Sequence, residues 1–179
     1  MNPLNRSFFE RPTLTVAQEL LGKMLVIGEC SGRINEVEAY IGQNDPACHA
    51  RSGKTQRNKS MFGPAGHLYV YFTYGMHYCA NIVTEKEGFP AAILIRSIQP
   101  LTGIELMQQR RDKTNNLTNG PAKLCQALGI ARESHDGMDL CNEGEGYIAN
   151  DETRIPSFKT SPRIGIRKGL GKLWRFYYT

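Results

Sequence analysis

Alternation of apolar and polar residues is the clearest pattern in the chain, and it predicts short strands separated by turns. Aromatic and β-branched residues flank Tyr74-Gly75, which predicts a hairpin formed by residues 67–73 and 76–83. Residues 33–41 alternate between polar and apolar, whereas residues 91–98 are mostly apolar, so we expect one partly exposed and one buried strand. Further short strands are predicted at residues 23–27, 147–149, 163–166 and 173–178.

A few segments have the spacing of an amphipathic helix instead. Two of them begin with capping-box patterns, Thr15 with Gln18 and Thr102 with Glu105. A third begins at Gly120-Pro121, where proline suits the first helical turn. The predicted helices therefore cover residues 15–21, 102–111 and 121–128.

Chain length and composition limit the architecture. A chain of 179 residues can bury one sizeable core, so we expect one compact domain over residues 1–179. Its 40% hydrophobic and 22% charged residues exclude a disordered chain, and no run of eighteen apolar residues predicts a membrane span. The elements predict an α+β fold: a single compact domain with a curved, mostly antiparallel sheet, flanking helices and a protruding β-hairpin.

The chain termini and cysteines indicate the cellular compartment. The first residues lack the apolar core of a secretory signal, so we expect an intracellular protein, in the cytoplasm or nucleoid if the source is bacterial. Five cysteines, with no Cys-x-x-Cys pair, favour reduced thiols over a disulfide framework or a zinc site. We expect no metal and no cofactor.

The net charge of +5 favours association with polyanions such as nucleic acid or acidic membrane surfaces. Part of the excess lies in residues 43–66, a polar stretch whose length is typical of a functional loop. Each basic cluster is equally compatible with a solvated surface. The clusters are Arg51, Lys54, Arg57 and Lys59, and then Arg163, Arg167, Lys168, Lys172 and Arg175.

Two features carry candidate chemistry. Strand alternation places Glu36, Glu38 and Tyr40 on one face, where a carboxylate is either a general base or an ordinary solvent-facing residue. Tyr74 precedes glycine at the hairpin tip, where it is either a wedge inserted between base pairs or a ring folded onto the core. Tyr71 lies on the opposite strand face from Tyr74, so the two rings can act on different surfaces.

The order of motifs along nearly the whole chain resembles the alkyladenine (3-methyladenine) DNA glycosylase family, the mammalian-type enzymes that also occur as shorter bacterial forms. No single motif is specific, but their combination and spacing are. The motifs are Phe8-Phe9, Leu20-Leu21-Gly22, Glu36-Val37-Glu38-Ala39-Tyr40, Arg57-Asn58, Met61-Phe62, Leu68-Tyr69-Val70-Tyr71, Tyr74-Gly75-Met76, Leu94-Ile95-Arg96, Gly120-Pro121, Lys123-Leu124 and Arg175-Phe176-Tyr177.

The resemblance implies a catalytic role for Glu38, which would hold and deprotonate the water that attacks the deoxyribose. Arg96 would help to position this water and favour the ionised carboxylate. A main-chain carbonyl near Ile164 would complete the water site.

The resemblance also implies how a base is held. Tyr40, His49 and Tyr71 would form the pocket for the flipped base, and Tyr74 would intercalate into the duplex. Asn81 would reject normal guanine by a clash with its exocyclic amine. Two further positions depart from the family pattern, Ala50 in place of serine and Ala122 in place of glycine or serine, and they bear on substrate range.

The implied activity is a monofunctional hydrolysis that releases an alkylated or deaminated purine and leaves an abasic site. The partner would be damaged double-stranded DNA, approached from the minor groove by a monomer. From the residues alone, the lysines leave a Schiff-base lyase step open, and the resemblance argues against it. The alternative from another class is a non-catalytic module that binds structured RNA or DNA, for which a carboxylate beside a polyanion has no use.

Overall fold

An antiparallel, curved sheet dominates the computed structural model, which describes residues 2–150, 155 and 157–178. Its main strand order is β3-β4-β5-β2-β1-β6, and β8 pairs with both β2 and β7. The strands are β1 (Met24–Ile27), β2 (Cys30–Ile41), β3 (Leu68–Thr73), β4 (His77–Val83), β5 (Ala91–Thr102), β6 (Gly146–Ala149), β7 (Lys159–Ser161) and β8 (Arg175–Tyr177).

Strand β2 is the central strand that positions the site. It pairs with β5 along one edge, while its other edge pairs first with β1 and then, at Glu36 to Glu38, with β8. Register shifts between Ile34 and Glu36 and between Glu36 and Val37 mark an irregularity in the pairing with β5. Such irregularities re-aim side chains, and this one lies at the two glutamates.

In the described part of the chain, five short helices and two 3₁₀ helices cover the sheet. Buried side chains from the strands and from α2 and α4 form the main core, and a smaller apolar cluster around Met61 and Tyr69 lies beside it. The α+β prediction is therefore confirmed. The helices are α1 (Arg6–Phe9), α2 (Thr13–Leu20), α3 (Ile104–Arg111), α4 (Pro121–Leu128) and α5 (Arg132–His135), and the 3₁₀ helices are His49–Ser52 and Lys59–Phe62.

Both capping-box predictions are wrong in detail. Thr15 lies inside α2, which begins at Thr13. The Thr13 hydroxyl instead donates to Glu85 Oε1 and so ties the helix to the segment after β4. Thr102 is the last residue of β5, and Gly103, with a left-handed φ of 69°, turns the chain into α3. A tertiary contact thus takes the place of the first cap, and a left-handed glycine takes the place of the second. The start of α4 at Gly120-Pro121 is as predicted.

The strand predicted at residues 163–166 is also wrong. These residues form a turn, and the strand that pairs with β8 is β7, a few residues earlier. The physical reason is Gly165, whose left-handed φ of 75° interrupts an extended backbone.

The hairpin of β3 and β4 is confirmed, and its tip has an unusual backbone. Tyr74 and Gly75 are the central residues of the turn, closed by the Met76 N–H donating to the Thr73 carbonyl. Both central residues have left-handed φ angles, 52° and 67°. Glycine adopts this conformation freely, but for tyrosine it is uncommon and costs energy.

Candidate active site

A cavity of about 480 Å³ opens beside the hairpin, and most of the predicted site residues surround it. Strands β2 to β5 supply one wall, the loop that follows β2 another, and residues 164–168 a third. A space of this size with aromatic walls suits a planar ligand. The predicted site residues that line it are Tyr40, His49, Tyr71, Tyr74, Asn81, Arg96 and Ile164.

Glu38 is fully buried beside this cavity, and two hydrogen bonds and one ion pair from the described residues hold its carboxylate. Oε1 accepts a hydrogen bond from the Ile164 amide at 2.7 Å and lies 3.3 Å from Arg96 Nη1. Oε2 accepts a hydrogen bond from the Tyr40 hydroxyl at 2.8 Å. A carboxylate has about four acceptor positions, and the two hydrogen bonds from the described residues leave room for a further donor such as water. The arrangement suits a general base.

Arg96 is oriented by a second carboxylate, that of Glu36, which strand alternation places on the same face as Glu38. Its Nε donates to Glu36 Oε1 at 2.7 Å, and Arg175 Nε donates to the same oxygen at 2.7 Å. Burial acts to raise the pKa of Glu36, but the hydrogen bonds from Arg175 and Arg96 outweigh it and hold that pKa below its usual range. Glu36 therefore stays ionised and aims Arg96 at Glu38.

Tyr40 has a role beyond the base-stacking one that the resemblance implies, because its hydroxyl holds the Glu38 carboxylate. Burial, followed by the nearby charge of Glu38, raises the pKa of Tyr40 far above its usual value. The hydroxyl therefore stays protonated at neutral pH and can donate to Glu38. The ring itself lines the cavity.

His49 and Tyr71 form an aromatic wall. Their rings meet edge to face with centroids 4.4 Å apart, and His49 Nδ1 lies 3.0 Å from the Tyr69 hydroxyl. Partial burial of the imidazole and, to a smaller extent, the positive charge of Arg57 lower the pKa of His49. Part of the side chain is nevertheless exposed to solvent. The imidazole is therefore neutral at pH 7. The Arg57 guanidinium lies 5.5 Å from the Tyr71 ring centroid.

Asn81 has a fixed orientation, because its Nδ2 donates to the Tyr69 carbonyl at 3.0 Å. The residue is buried yet borders the cavity. The Tyr69 carbonyl can accept a hydrogen bond only from the NH₂ group of Asn81. The Oδ1 atom of Asn81 is therefore the atom that can face a ligand.

Tyr74 lies at the rim of the cavity and is 81% exposed. The alternative in which this ring folds onto the core is therefore wrong. Met76, beside it on the tip, is also exposed. Large apolar side chains at a protruding tip are available to a partner.

The C-terminal basic cluster divides into two kinds of residue. Arg163 and Arg175 form internal ion pairs with Asp45 and Glu36, so they do not belong to a solvated face. Arg167 and Lys168 are exposed and border the cavity. They are placed to meet an anionic group at its mouth.

Ile164 enters the site differently from the prediction. The contact present is its amide N–H on Glu38, whereas the sequence analysis assigned a nearby main-chain carbonyl to the water. The carbonyl role remains a prediction. The amide contact had no sequence signal, but the alternation of Glu36 with Glu38 was enough to suggest that both carboxylates share one site.

Residues 2–150, 155 and 157–178 carry no features of a metal centre or a membrane-spanning helix. This part of the chain contains no cluster of three or more His, Cys, Asp or Glu side chains arranged to hold a metal ion. All five cysteines are free. None of the described helices has the length and apolar character needed to cross a membrane.

Comparison with known proteins relates the chain to one family. The model of the methylpurine-DNA glycosylase family matches residues 7–179. Similar proteins in three organisms carry the name "Putative 3-methyladenine DNA glycosylase". The relative in Sodalis glossinidius is 51% identical, over 97% of this chain and 95% of its own. The one in Ehrlichia chaffeensis is 49% identical, over 97% and 91%. The one in Methanocella arvoryzae is 47% identical, over 99% and 92%.

Proposed function

The chain belongs to the methylpurine-DNA glycosylase family, and from this premise we propose that it excises damaged purines from duplex DNA by hydrolysis. The observation that carries the proposal is the buried carboxylate of Glu38 beside an aromatic cavity. Candidate bases are alkylated purines of the 3-methyladenine type, hypoxanthine and ethenoadenine. All are flat, which suits the aromatic walls.

Glu38 acts as the general base in this proposal. A water molecule donates to the acceptor position that Ile164, Arg96 and Tyr40 leave open, and Glu38 takes its proton as the oxygen attacks the anomeric carbon. Arg96 keeps the carboxylate ionised and helps to place the water. A carbonyl near Ile164 completes the water site. The C–N bond breaks with its electron pair passing to the purine, and an abasic site remains. A cationic alkylated purine thereby leaves as a neutral base, whereas hypoxanthine or ethenoadenine also takes up a proton from solvent.

The base enters the cavity by rotating out of the helix. Tyr40, His49 and Tyr71 stack against it, and stacking of this kind contributes about 1–3 kcal/mol per base. Damaged bases pair poorly, so they are extruded more easily than normal ones. Asn81 excludes guanine by a steric clash with its exocyclic amine, because the hydrogen bond to the Tyr69 carbonyl keeps the Asn81 side chain from moving aside.

The hairpin tip accounts for DNA binding from the minor groove. Tyr74 inserts into the space that the rotated nucleotide leaves, and its exposure and left-handed backbone support this role. Arg167 and Lys168 bind phosphates at the cavity mouth. A single chain carries the whole arrangement, so we propose that the protein acts as a monomer.

The proposal is tested by incubating the protein with duplexes that each contain one hypoxanthine, ethenoadenine or alkylated purine. Release of the free base, with strand cleavage only after alkali, is the expected result. Cleavage without alkali, or trapping of a covalent adduct by borohydride, would indicate a lyase instead. Tight binding without base release from any duplex would favour the non-catalytic module, for which the buried Glu38 has no purpose.

A further inference from the structure

A buried ion pair lies behind the cavity and joins two distant parts of the chain. Arg163 Nη1 is 2.6 Å from Asp45 Oδ2, Nη2 is 2.8 Å from Oδ1, and both side chains are fully buried. Arg163 Nη1 also donates to the Ala39 carbonyl at 2.8 Å. The pair thus connects the loop after β2, the end of β2 and the segment after β7.

Asp45 anchors the loop on its side of the pair. Its carboxylate accepts hydrogen bonds from the backbone amides of Ile41 and Ala47, at 3.3 and 3.2 Å. Ala47 lines the cavity, and His49 follows two residues later. Movement of Asp45 would therefore move one wall of the cavity.

Arg163 anchors two donors to Glu38 on the other side. Its guanidinium lies 4.6 Å from the centroid of the Tyr40 ring, whose hydroxyl bonds Glu38 Oε2. Arg163 also directly precedes Ile164 in the chain, and the Ile164 amide donates to Glu38 Oε1. Two of the three groups that hold Glu38 therefore depend directly on where this guanidinium is fixed.

A purely stabilising role explains this arrangement poorly. The desolvation of two charges offsets most of their attraction, so a buried ion pair is weak evidence for stability. What the bidentate geometry does provide is a fixed position and orientation for the guanidinium plane.

We propose that Arg163 and Asp45 are positioning residues that hold the Ile164 amide and the Tyr40 ring in place and thereby fix the Glu38 carboxylate. Neither side chain needs to touch the substrate. The inference rests on the proposed function for its catalytic consequence, but its structural part concerns the free protein and can be tested without activity.

The first test measures the hydrogen exchange of the Ile164 amide by NMR in the free protein. Arg163→Lys keeps the charge but removes the bidentate contact and the flat face, so exchange should be at least about tenfold faster. The control is Arg6→Lys, which weakens the ion pair with Asp139, 2.6 Å in length, in another region of the fold. Unchanged Ile164 exchange in Arg163→Lys would overturn the inference.

The second test measures excision in single turnover beside the dissociation constant of the lesion duplex. The rate of Arg163→Lys should fall between about tenfold and a hundredfold, as expected for a misplaced catalytic group, with affinity changed less than about threefold. Arg6→Lys should keep the wild-type rate. A normal rate in Arg163→Lys, or losses of rate and affinity in equal proportion, would contradict the positioning role.

A further variant guards against misfolding. Asp45→Glu keeps both charges buried and paired but lengthens the side chain by one methylene, so it should fold and still show faster Ile164 exchange. Wild-type exchange in this variant would overturn the inference. Failure of the proposed function would be recognised separately, as a wild-type protein that releases no base while the exchange results stand.

Discussion

Replacing Tyr40 by phenylalanine should destabilise the protein far more than the loss of one hydroxyl at the surface. The substitution keeps the ring but removes the donor 2.8 Å from Glu38 Oε2, inside the fold. A hydrogen bond to a charged group contributes about 1.5–3 kcal/mol, and a buried acceptor left without its partner costs free energy on the same scale. For a chain of this length, that corresponds to a fall in Tm of about 3–12 °C.

The chain contains a matched control for this substitution. Tyr78 also donates its hydroxyl to a glutamate, Glu133 Oε2, at 3.0 Å, but that contact is exposed to solvent. Tyr78→Phe should therefore leave Tm unchanged within error. The assay is thermal unfolding at pH 7 followed by circular dichroism. Equal falls in Tm for Tyr40→Phe and Tyr78→Phe would refute the argument that burial makes the contact with Glu38 important.

Three further predictions concern DNA binding and acid stability. Tyr74→Ala should retain the wild-type Tm, because the ring is 81% exposed, but should reduce the 2-aminopurine fluorescence increase on binding; an unchanged increase would count against the wedge. Arg167→Ala and Lys168→Ala should each make the negative slope of log binding constant against log salt concentration less steep by about 1. An unchanged slope would exclude phosphate contacts. Burial acts to raise the pKa of Asp45, but hydrogen bonds from Arg163 and the Ala47 amide outweigh it and hold this pKa below its usual value of 3.8. The ionised carboxylate therefore stabilises the folded protein above pH 3.8, and this stabilisation is lost as the pH falls through the pKa of the folded state. Tm should fall below about pH 4, and a rise in Tm there would contradict this sign.

The hairpin was predictable because its information is local. Alternating aromatic and β-branched residues define its two strands, and Gly75 marks the turn between them. The same holds for α4, where Gly120-Pro121 starts the helix and Gly129 ends it. Each of these elements is specified by residues within a few positions of one another.

The segment around Arg163 was not predictable from its neighbours. Residues 163–166 alternate between apolar residues and others as a strand would, yet Arg163 pairs with Asp45, 118 residues earlier. Likewise, Arg96 is held by Glu36 across 60 residues. Contacts over such separations leave no periodic pattern, so sequence reasoning alone missed both.

The site residues came from the family resemblance rather than from the pattern. Alternation left Glu38 open between a base and a solvent-facing residue, and its complete burial excludes the second reading. His49 lies in an irregular loop, where no periodicity applies. The structure brings these residues to one cavity, while their roles in catalysis remain predictions.

Glu38→Gln tests the central claim most directly, because glutamine keeps the size of the side chain and loses the base. Its carbonyl oxygen can still accept from the Ile164 amide, and its NH₂ group can donate to the Tyr40 hydroxyl, so the fold should tolerate it. We predict a single-turnover excision rate about 10²–10⁴-fold below wild type, with affinity for a lesion duplex retained. An excision rate within about twofold of wild type would contradict the account, since a general base typically contributes about 10²–10⁴-fold.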